Sequence, residues 1–482
     1  MTVSVSQAKG KDIFKSLESE SYKPPLYFLL MRSWLTKNDS EFWIRLPSAI
    51  CGALTCLLAL TLGNQLFGIN RGWVLAVILA LAPFHVYYSQ EARMYALLGL
   101  TGAGAMLFTW LFCRTQRWRD AGLYLVCATL SCYIFTYGIF LLPFSCLLAV
   151  FFQPRLSRKA IAIIWGTNIL AALLFCPWIP FLMESVKSGT GLQMLSRGPV
   201  ILALAYSVFT LGFGITFGPT TEQLRVLGKR IFAENPIAGG LLVGGLMLVV
   251  IVILIGLRFL WQRNRNGFFF SLIGLGIFCG CPALLNVLKP GIPYNARYAI
   301  LALIPLSVTV AGFLFWAMER GLWRKALALL FIGGIGTSLA NHFFNPKYAR
   351  DDMRSAARFI QSLEPTPRHL IVCADFMQMS LHYYYDGSAN LFPVKIRAGN
   401  IEELFKPFES ELVEGETFGL VYSRPDHGDP QGILPAWLSQ RYTLISQKTW
   451  TGVTFYLYGA RKPLAGTFGF QERNRNIRQL NL

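Results

Sequence analysis

Long apolar runs separated by short polar gaps occupy the chain between residues 42 and 342. A helix needs about 20 apolar residues to cross a bilayer. This length predicts ten full spans, at residues 42–67, 72–89, 94–113, 121–136, 138–153, 160–183, 237–261, 267–288, 297–317 and 324–342. The pair at 121–153 is short and is joined only by Tyr137 and Gly138, so the alternative for its two members is to tilt or re-enter. The pattern therefore predicts an all-α polytopic membrane domain over residues 1–342.

Two further apolar stretches are not predicted to cross the membrane. Residues 24–36 are too short to span and carry Arg32, so we expect them to lie along the membrane surface. Residues 200–217 are long enough to span. One more crossing there would, however, place every later gap on the side of the membrane opposite to the one that its charge indicates. We therefore predict a re-entrant or interfacial element at 200–217.

Basic residues gather in alternate gaps. The basic gaps are at 68–71, 113–120, 154–159, 262–266 and 318–325. The other gaps, at 90–93, 184–236 and 289–296, are longer in total and contain fewer basic residues. By the positive-inside rule the first set is cytoplasmic, which places residues 1–40 outside. The sequence thus favours a chain that begins within the first external loop and lacks an upstream first helix. The alternative is unaided translocation of a short N-terminus.

Residues 343–482 have the composition of a soluble domain. Residues 351–363 have helical spacing, with Asp351 and Asp352 at the start. Short apolar runs at 369–373, 418–422, 442–446 and 453–458 are predicted strands. These elements predict a small extracytoplasmic α/β domain at 343–482, which ends in a polar tail.

The net charge of +19 and the ten cysteines narrow the function further. Most basic residues lie in the short gaps between apolar runs, so the charge indicates membrane topology rather than nucleic-acid binding. No C-x-x-C motif occurs, and nine of the ten cysteines lie in or beside apolar runs. The sequence therefore supports neither a disulfide framework nor a zinc site.

Three polar clusters lie on the predicted outer side, where ionisable groups at membrane depth are costly and therefore candidates for function. The first cluster contains Lys23, which precedes Pro24 and Pro25, and Arg45 further along the chain. The second contains Tyr88, Glu91, Arg93 and Tyr95, and the third contains Tyr294 and Arg297. If the chain enters the next helix directly, Tyr88, Glu91 and Tyr95 share one helix face.

Each cluster has a functional and a structural interpretation. Lys23 could meet the phosphate of a lipid carrier or extend to the interface. Glu91 could act as a base or metal ligand, and Arg93 could hold a phosphate; the alternative is an ion pair with an aromatic belt. Arg297 at a helix N-terminus opposes the macrodipole, which favours a compensating anion, or it anchors the helix at the interface.

The segments KPPLYFLL, WIRLPSAICG, LAPFHVYYSQEARMYALL and ARYAILALIPL resemble bacterial members of glycosyltransferase family 39. This family includes relatives of the protein O-mannosyltransferases and of the aminoarabinose transferases that modify lipid A. The resemblance implies a GT-C membrane fold and transfer of a sugar from a polyprenyl-phosphate donor, with inversion, to an acceptor on the extracytoplasmic face of the bacterial inner membrane.

The resemblance also implies roles for individual residues. Lys23, Arg93 and Arg297 would bind the donor phosphate, and Glu91 is the candidate catalytic residue. Tyr88, Tyr95, Arg45 and Tyr294 would line the cavity.

The chain departs from the family in its first external loop. Family members carry an acidic residue there, which residues 1–14 do not show at the expected place, while Asp12, Glu18 and Glu20 lie later in the loop. This departure agrees with a missing first helix. It keeps two other functions open: a non-catalytic relative that binds carrier lipid, and a lipid-linked-sugar transporter. The sugar, the acceptor (glycan, lipid or protein) and any need for a divalent metal ion are also open.

Overall fold

The computed structural model describes residues 23–188, 200–288, 295–396, 401–413 and 415–461. Tyr294, the three acidic residues of the first loop and the polar C-terminal tail lie outside these ranges. The chain divides into two compact units, residues 1–348 and 349–482.

The first unit is helical. Its α-helices are α1 Leu26–Leu35, α2 Glu41–Phe67, α3 Ile69–Leu81, α4 Pro83–Ser89, α5 Tyr95–Thr115, α6 Trp118–Ile134, α7 Leu141–Phe151, α8 Arg158–Phe175, α9 Ile179–Ser188, α10 Val200–Phe213, α11 Thr221–Leu227, α12 Ile231–Glu234, α13 Pro236–Arg263, α14 Arg265–Leu275, α15 Cys281–Leu288, α16 Leu303–Ala317 and α17 Leu322–Phe344. A π-helix, Gly276–Gly280, joins α14 to α15, and a 3-10 helix, Ala296–Ala302, leads into α16.

Seven helices of the described chain are long and apolar enough to cross a membrane, so this is a multi-pass membrane protein. They are Glu41–Phe67, Tyr95–Thr115, Arg158–Glu184, Pro236–Arg263, Arg265–Leu288, Ala296–Ala317 and Leu322–Phe344. The pair α3 and α4, bent by 63°, raises the number to eight if it counts as one span.

The prediction of ten full spans is too high by two or three. The predicted spans at 121–136 and 138–153 correspond to α6, which has 17 residues, and to the short segment Thr136–Phe151. The extended backbone of Phe135 (φ −157°, ψ 130°) ends α6 and separates the two segments. The sequence predicted this boundary at Tyr137 and Gly138, two to three residues after its observed place.

The two stretches that were not predicted to span form short helices. Helix α1 has ten residues and buries Tyr27, Phe28 and Met31. Helix α10 has 14 residues, too few for a full span, and is followed by Gly214 with φ +74°. Both helices are too short to span, as predicted, and their surface and re-entrant placement stays a prediction.

Small residues allow the membrane helices to pack closely. A Cβ atom on Gly256 of α13 would lie only 2.2 Å from the carbonyl oxygen of Thr309 in α16. Such contacts are typical of membrane helix pairs, because association there depends on packing at short range. The span Ala296–Ala317, with 83% of its most apolar window buried, is therefore an inner helix of the unit.

The second unit is a five-stranded mixed sheet with helices. Strands β1 His369–Cys373, β2 Asn390–Pro393, β3 Phe418–Ser423, β4 Tyr442–Trp450 and β5 Val453–Arg461 lie in the order β2-β1-β3-β5-β4. Strands β1, β2 and β3 are parallel, and β5 runs antiparallel to β3 and β4. The helices are α18 Met353–Gln361, α19 Gln378–Tyr384, α20 Ile401–Glu411, α21 Pro425–Gly428 and α22 Ile433–Arg441.

The sheet separates two apolar cores. Met353, Ala357 and Ile360 of α18 pack with Leu370 and Phe455 in one core. Helices α20 and α22 contribute to the other core, together with the alternate residues of β1 and β3. The alternation of side chains between the two cores along β1 and β3 thus fixes the register of these strands, since each face of the sheet has its own core.

Hydrogen bonds to Asp429 connect β3 to the start of α22. Its carboxylate is 1% exposed and accepts hydrogen bonds from the Tyr422 hydroxyl at 3.0 Å and from the backbone N–H groups of Ile433 at 3.0 Å and Leu434 at 2.8 Å. Burial raises the pKa of the Tyr422 phenol, so this hydroxyl stays a proton donor. An anion at a helix N-terminus is also favoured by the macrodipole.

We expect Asp429→Ala to lower the free energy of opening of β3 and α22 by about 3 kcal/mol, because it leaves buried donors without an acceptor. Hydrogen exchange of these amides in the full chain measures the change. The exposed Asp386 provides the control, and its alanine variant should differ from the parent by less than about 0.5 kcal/mol. Equal exchange in the two variants would contradict the assignment.

Candidate active site

Tyr27, which follows the two prolines of the first predicted cluster, lies near the second predicted cluster. The two prolines place the start of α1 at Leu26, and α1 packs Tyr27 and Phe28 inward. The Tyr27 hydroxyl lies near Ser48 of α2 and close enough to Glu91 and Arg93 for both charges to act on it. Tyr27 is therefore the residue of the KPPLY segment that the structure places near the turn after α4.

The bend between α3 and α4 determines where the residues of the second predicted cluster lie. Ala82 is extended (φ −64°, ψ 116°) before Pro83, as expected for a residue that precedes proline. Helix α4 then ends at Ser89, and residues 90–94 form a tight turn in which the Arg93 N–H donates to the Glu91 carbonyl at 2.8 Å. The chain therefore does not enter the next helix directly, and Tyr88, Glu91 and Tyr95 do not share one continuous helix face.

Tyr88 and Tyr95 nevertheless meet across the turn. Their ring centroids are 4.9 Å apart in an edge-to-face arrangement, and both side chains are buried. The turn thus folds α4 back towards α5.

Two guanidinium groups converge on Tyr95. The Cζ atom of Arg93 lies 5.5 Å from the centroid of the Tyr95 ring, and that of Arg297 lies 5.9 Å from the same centroid. Arg297 also lies 5.7 Å from the ring of Tyr298. The second and third predicted clusters therefore share one aromatic residue, and the two positive charges beside it favour an anion.

Arg297 retains an unused donor in this arrangement. Its Nε atom is buried and has no hydrogen-bond partner among the described residues. A buried donor without an acceptor is costly, and the cost is relieved when a ligand supplies an acceptor. The N–H therefore provides a contact that an anionic ligand can fill.

An aromatic wall flanks these arginines. The ring centroids of Tyr95 and Phe135 are 5.7 Å apart, and those of Phe135 and Tyr298 are 5.5 Å apart. The ring of Tyr298 stacks on that of Tyr137, with 4.7 Å between the centroids. The break at Phe135 that shortens α6 is what places Phe135 and Tyr137 here. Such rings offer an apolar face to a sugar or an isoprenoid chain.

A narrow cavity lies against the cluster. Tyr88, Tyr95, His85 and Ser89 line it together with apolar residues of the segment 300–304. In this side-chain arrangement it accommodates about one water molecule.

The structure does not bring every predicted site residue into this cluster. Arg45 forms an ion pair with Glu41, one turn earlier in α2, at 3.7 Å. Lys23 directly precedes the two prolines and is half-buried. Tyr294 lies outside the described residues, and within the described ranges no group of three or more His, Cys, Asp or Glu side chains could hold a metal ion. The roles of Arg45, Lys23 and Tyr294 stay predictions.

The sequence interpretation missed His342. Its Nε2 atom lies 3.0 Å from the Gln90 side-chain oxygen, and its ring lies 5.8 Å from that of Tyr87. The contact connects the end of α17 to the turn that contains Glu91. A histidine near the end of the last apolar run was the available signal.

Known proteins support the interpretation of this fold. A family model described as dolichyl-phosphate-mannose-protein mannosyltransferase matches residues 22–181, a range that includes Lys23, Glu91 and Arg93. Among curated proteins, no sequence matches the chain.

Several solved structures are similar to the chain. ArnT from Cupriavidus metallidurans in the apo state is 11% identical, with a TM-score of 0.52, and the match covers 90% of this chain and 87% of ArnT. The same ArnT bound to undecaprenyl phosphate matches with a TM-score of 0.49 at 10% identity, over 91% of this chain and 88% of ArnT. The Archaeoglobus fulgidus oligosaccharyltransferase in the apo form is 12% identical, with a TM-score of 0.47, over 83% of this chain and 62% of that protein.

The match to the family model includes two of the three predicted clusters, those of Lys23 and of Glu91 and Arg93, and the apo ArnT structure is similar in fold. The resemblance to glycosyltransferase family 39 is thereby confirmed, and the chain has a GT-C membrane glycosyltransferase fold.

Proposed function

We propose that this protein transfers a sugar from a polyprenyl-phosphate donor to an acceptor on the extracytoplasmic face of a bacterial inner membrane, with inversion at the anomeric carbon. The observation that carries the proposal is the convergence of Arg93 and Arg297 on the buried ring of Tyr95. Two fixed guanidinium groups beside apolar rings match a ligand that has an anionic head and an apolar chain.

The phosphate of the carrier provides the charge that this arrangement requires. A lipid phosphate bears about one to two negative charges and loses water when it enters a site at the interface. Guanidinium groups compensate this loss through charge-assisted, bidentate hydrogen bonds. Arg93 and Arg297 bind the phosphate oxygens, and Lys23 adds a third positive charge from the segment that contains Tyr27.

The chemical step follows from this placement. The acceptor's nucleophilic atom forms a bond to the anomeric carbon as the bond from that carbon to the phosphate oxygen breaks. The bonding electrons leave with the phosphate, where Arg93 and Arg297 stabilise the added charge. Glu91 accepts the proton that the acceptor loses, since it is the carboxylate in the turn beside these arginines.

The solved relative supports this choice of donor. ArnT from Cupriavidus metallidurans, whose apo structure shares the fold, has also been crystallised with undecaprenyl phosphate. A lipid-phosphate site in the membrane unit would be in keeping with that complex.

A transfer assay tests the function. The purified chain in lipid nanodiscs is incubated with synthetic undecaprenyl-phosphate sugars and with membrane lipids and glycans as acceptors. We expect a glycosylated product whose anomeric configuration is opposite to that of the donor. Donor binding without any product would instead indicate the non-catalytic relative. Movement of the intact donor across vesicles would indicate the transporter.

The proposal includes a topology in which residues 349–482 are extracytoplasmic and the basic gaps at 114–119 and 155–159 are cytoplasmic. The native Cys373 cannot report on this, because it is fully buried and burial raises the pKa of its thiol to about 12. Gln361 in the second unit and Arg155 in a basic gap are exposed, so each can be replaced by cysteine.

An impermeant thiol reagent should label Gln361→Cys in intact cells and Arg155→Cys only after lysis. The parent chain provides the background labelling from its own cysteines. The reverse order of labelling would place the second unit in the cytoplasm and contradict the outer location of the site.

A further inference from the structure

An open pocket lies in the first unit away from the candidate active site. Its volume is about 730 Å³. The residues that line it are Asn64, Gln65, Phe67, Gly68, Ile69, Asn70, Arg71 and Arg114. They belong to the turn between α2 and α3 and to the last turn of α5.

This pocket and the active site lie at opposite ends of the same helices. Helix α5 begins at Tyr95 and carries Arg114 in its last turn, 19 residues later, which corresponds to about 29 Å along the axis. The pair α3 and α4 likewise carries Arg71 near its start and Tyr88 near its end. The pocket therefore opens towards the other side of the membrane, the side that the charge pattern predicts to be cytoplasmic.

The lining of the pocket is basic and rich in hydrogen-bond donors. It contains two arginines, two asparagines and a glutamine, and no carboxylate. The Nη1 atom of Arg114 donates to the Gln65 carbonyl at 3.2 Å and to the Gln65 side-chain oxygen at 3.0 Å, which fixes the direction of the guanidinium. The Cζ atom of Arg71 lies 5.7 Å from the ring of Phe315. Arg114 is thus fixed by Gln65, which precedes the turn, and Arg71, which follows the turn, lies against an aromatic ring.

The turn itself leaves the pocket open. Gly68 has φ +85°, a conformation that side chains with a Cβ rarely adopt, and it projects nothing into the space. The N-terminus of α3 follows directly, and its free N–H groups favour negative charge.

Apolar side chains extend from the pocket along the lipid-facing surface. Ile69 is 83% exposed and Trp73, one turn further along α3, is 55% exposed. Large exposed apolar groups on a membrane helix contact acyl chains, and tryptophan is typical of the interface. A ligand in the pocket therefore has an apolar surface directly beside its charged end.

We propose that this pocket binds the phosphate headgroup of an anionic phospholipid, with Arg71 and Arg114 on the phosphate and with Ile69 and Trp73 against the acyl chains. Basic pockets between membrane helices on the cytoplasmic side recognise such headgroups. The site is independent of the proposed transfer reaction, since it lies at the opposite end of α5.

Native mass spectrometry of the full chain tests the proposal. The chain is exchanged into detergent with phosphatidylglycerol or phosphatidylcholine, and retained lipid is counted. We expect retention of phosphatidylglycerol over phosphatidylcholine. Replacing one arginine by glutamine should weaken phosphatidylglycerol binding about fivefold, and Arg71→Gln with Arg114→Gln about thirtyfold, at about 1 kcal/mol for each basic residue.

The exposed Arg158 provides the matched control, because it is basic, lies in another basic gap and does not line the pocket. Arg158→Gln should bind phosphatidylglycerol like the parent. Equal retention of the two lipids by the parent chain would overturn the proposal, even if the double variant failed to fold. So would equal losses in the pocket variants and the control. Displacement of phosphatidylglycerol by millimolar inorganic phosphate would assign the pocket to a free anion instead of a lipid.

Discussion

Arg297→Gln and Arg93→Gln should each weaken the binding of undecaprenyl phosphate by about tenfold to 150-fold. Each change removes one charge-assisted contact, which costs about 1.5–3 kcal/mol. The arginines converge on the ring of Tyr95 from different segments of the chain, so the loss of either leaves the other in place. Titration of the full chain in nanodiscs with a fluorescent undecaprenyl phosphate measures the effect.

Arg230 is the matched control for these variants. It is an exposed arginine in a gap on the same predicted side of the membrane, outside the cluster. Arg230→Gln should bind the lipid phosphate like the parent. If both cluster variants fold and bind like this control, the arginines anchor the helices at the interface and do not hold a phosphate.

Glu91→Gln should leave donor binding within about twofold of the parent and lower the transfer rate by about 100- to 10,000-fold. That range is the usual contribution of a general base, and glutamine cannot accept the proton. The separation of binding from turnover distinguishes a base from a residue that only shapes the turn. Sugar release from a synthetic undecaprenyl-phosphate sugar, measured at saturating donor, gives the rate.

Glu184 provides the comparison for this substitution. It is exposed at the end of the span Arg158–Glu184, next to a gap with the same predicted orientation as Glu91. Glu184→Gln should transfer sugar like the parent. Full transfer by Glu91→Gln would remove Glu91 from the chemical step and would require another group to accept the proton.

The apolar pattern predicted most of the fold because hydropathy and length are properties of each segment alone. The strands predicted at 369–373 and 453–458 appear as β1 and β5, and the predicted helix at 351–363 appears as α18. Strand β2 was missed, since four residues that end in Pro393 give little periodicity and form an edge. The break in the apolar run 121–153 was predicted at Tyr137 and Gly138 and lies at Phe135, because short length and a joining glycine are visible in the sequence whereas the exact residue is not.

The sequence indicated which segments form the candidate site, but it did not indicate how their side chains are arranged in space. Polar residues between apolar runs indicated Glu91, Arg93 and Arg297, since charge at membrane depth is costly wherever the chain places it. The convergence of Arg93 and Arg297 on Tyr95 depends on how the 3-10 helix Ala296–Ala302 packs against α5, which neither segment encodes alone. The contact between Gln90 and His342 joins residues 252 positions apart and was beyond any local pattern.

Photochemical mapping of the bound carrier tests whether Arg93 and Arg297 hold the donor phosphate. An undecaprenyl phosphate with a diazirine beside the phosphate is crosslinked to the full chain, and the labelled peptides are identified with and without excess unlabelled lipid. The proposed donor site predicts competable labels within residues 91–95 and 297–298, the segments that meet at Tyr95, and within residues 23–27, which contain Lys23 and Tyr27. Competable labels confined to other parts of the chain, with none in these three segments, would contradict it.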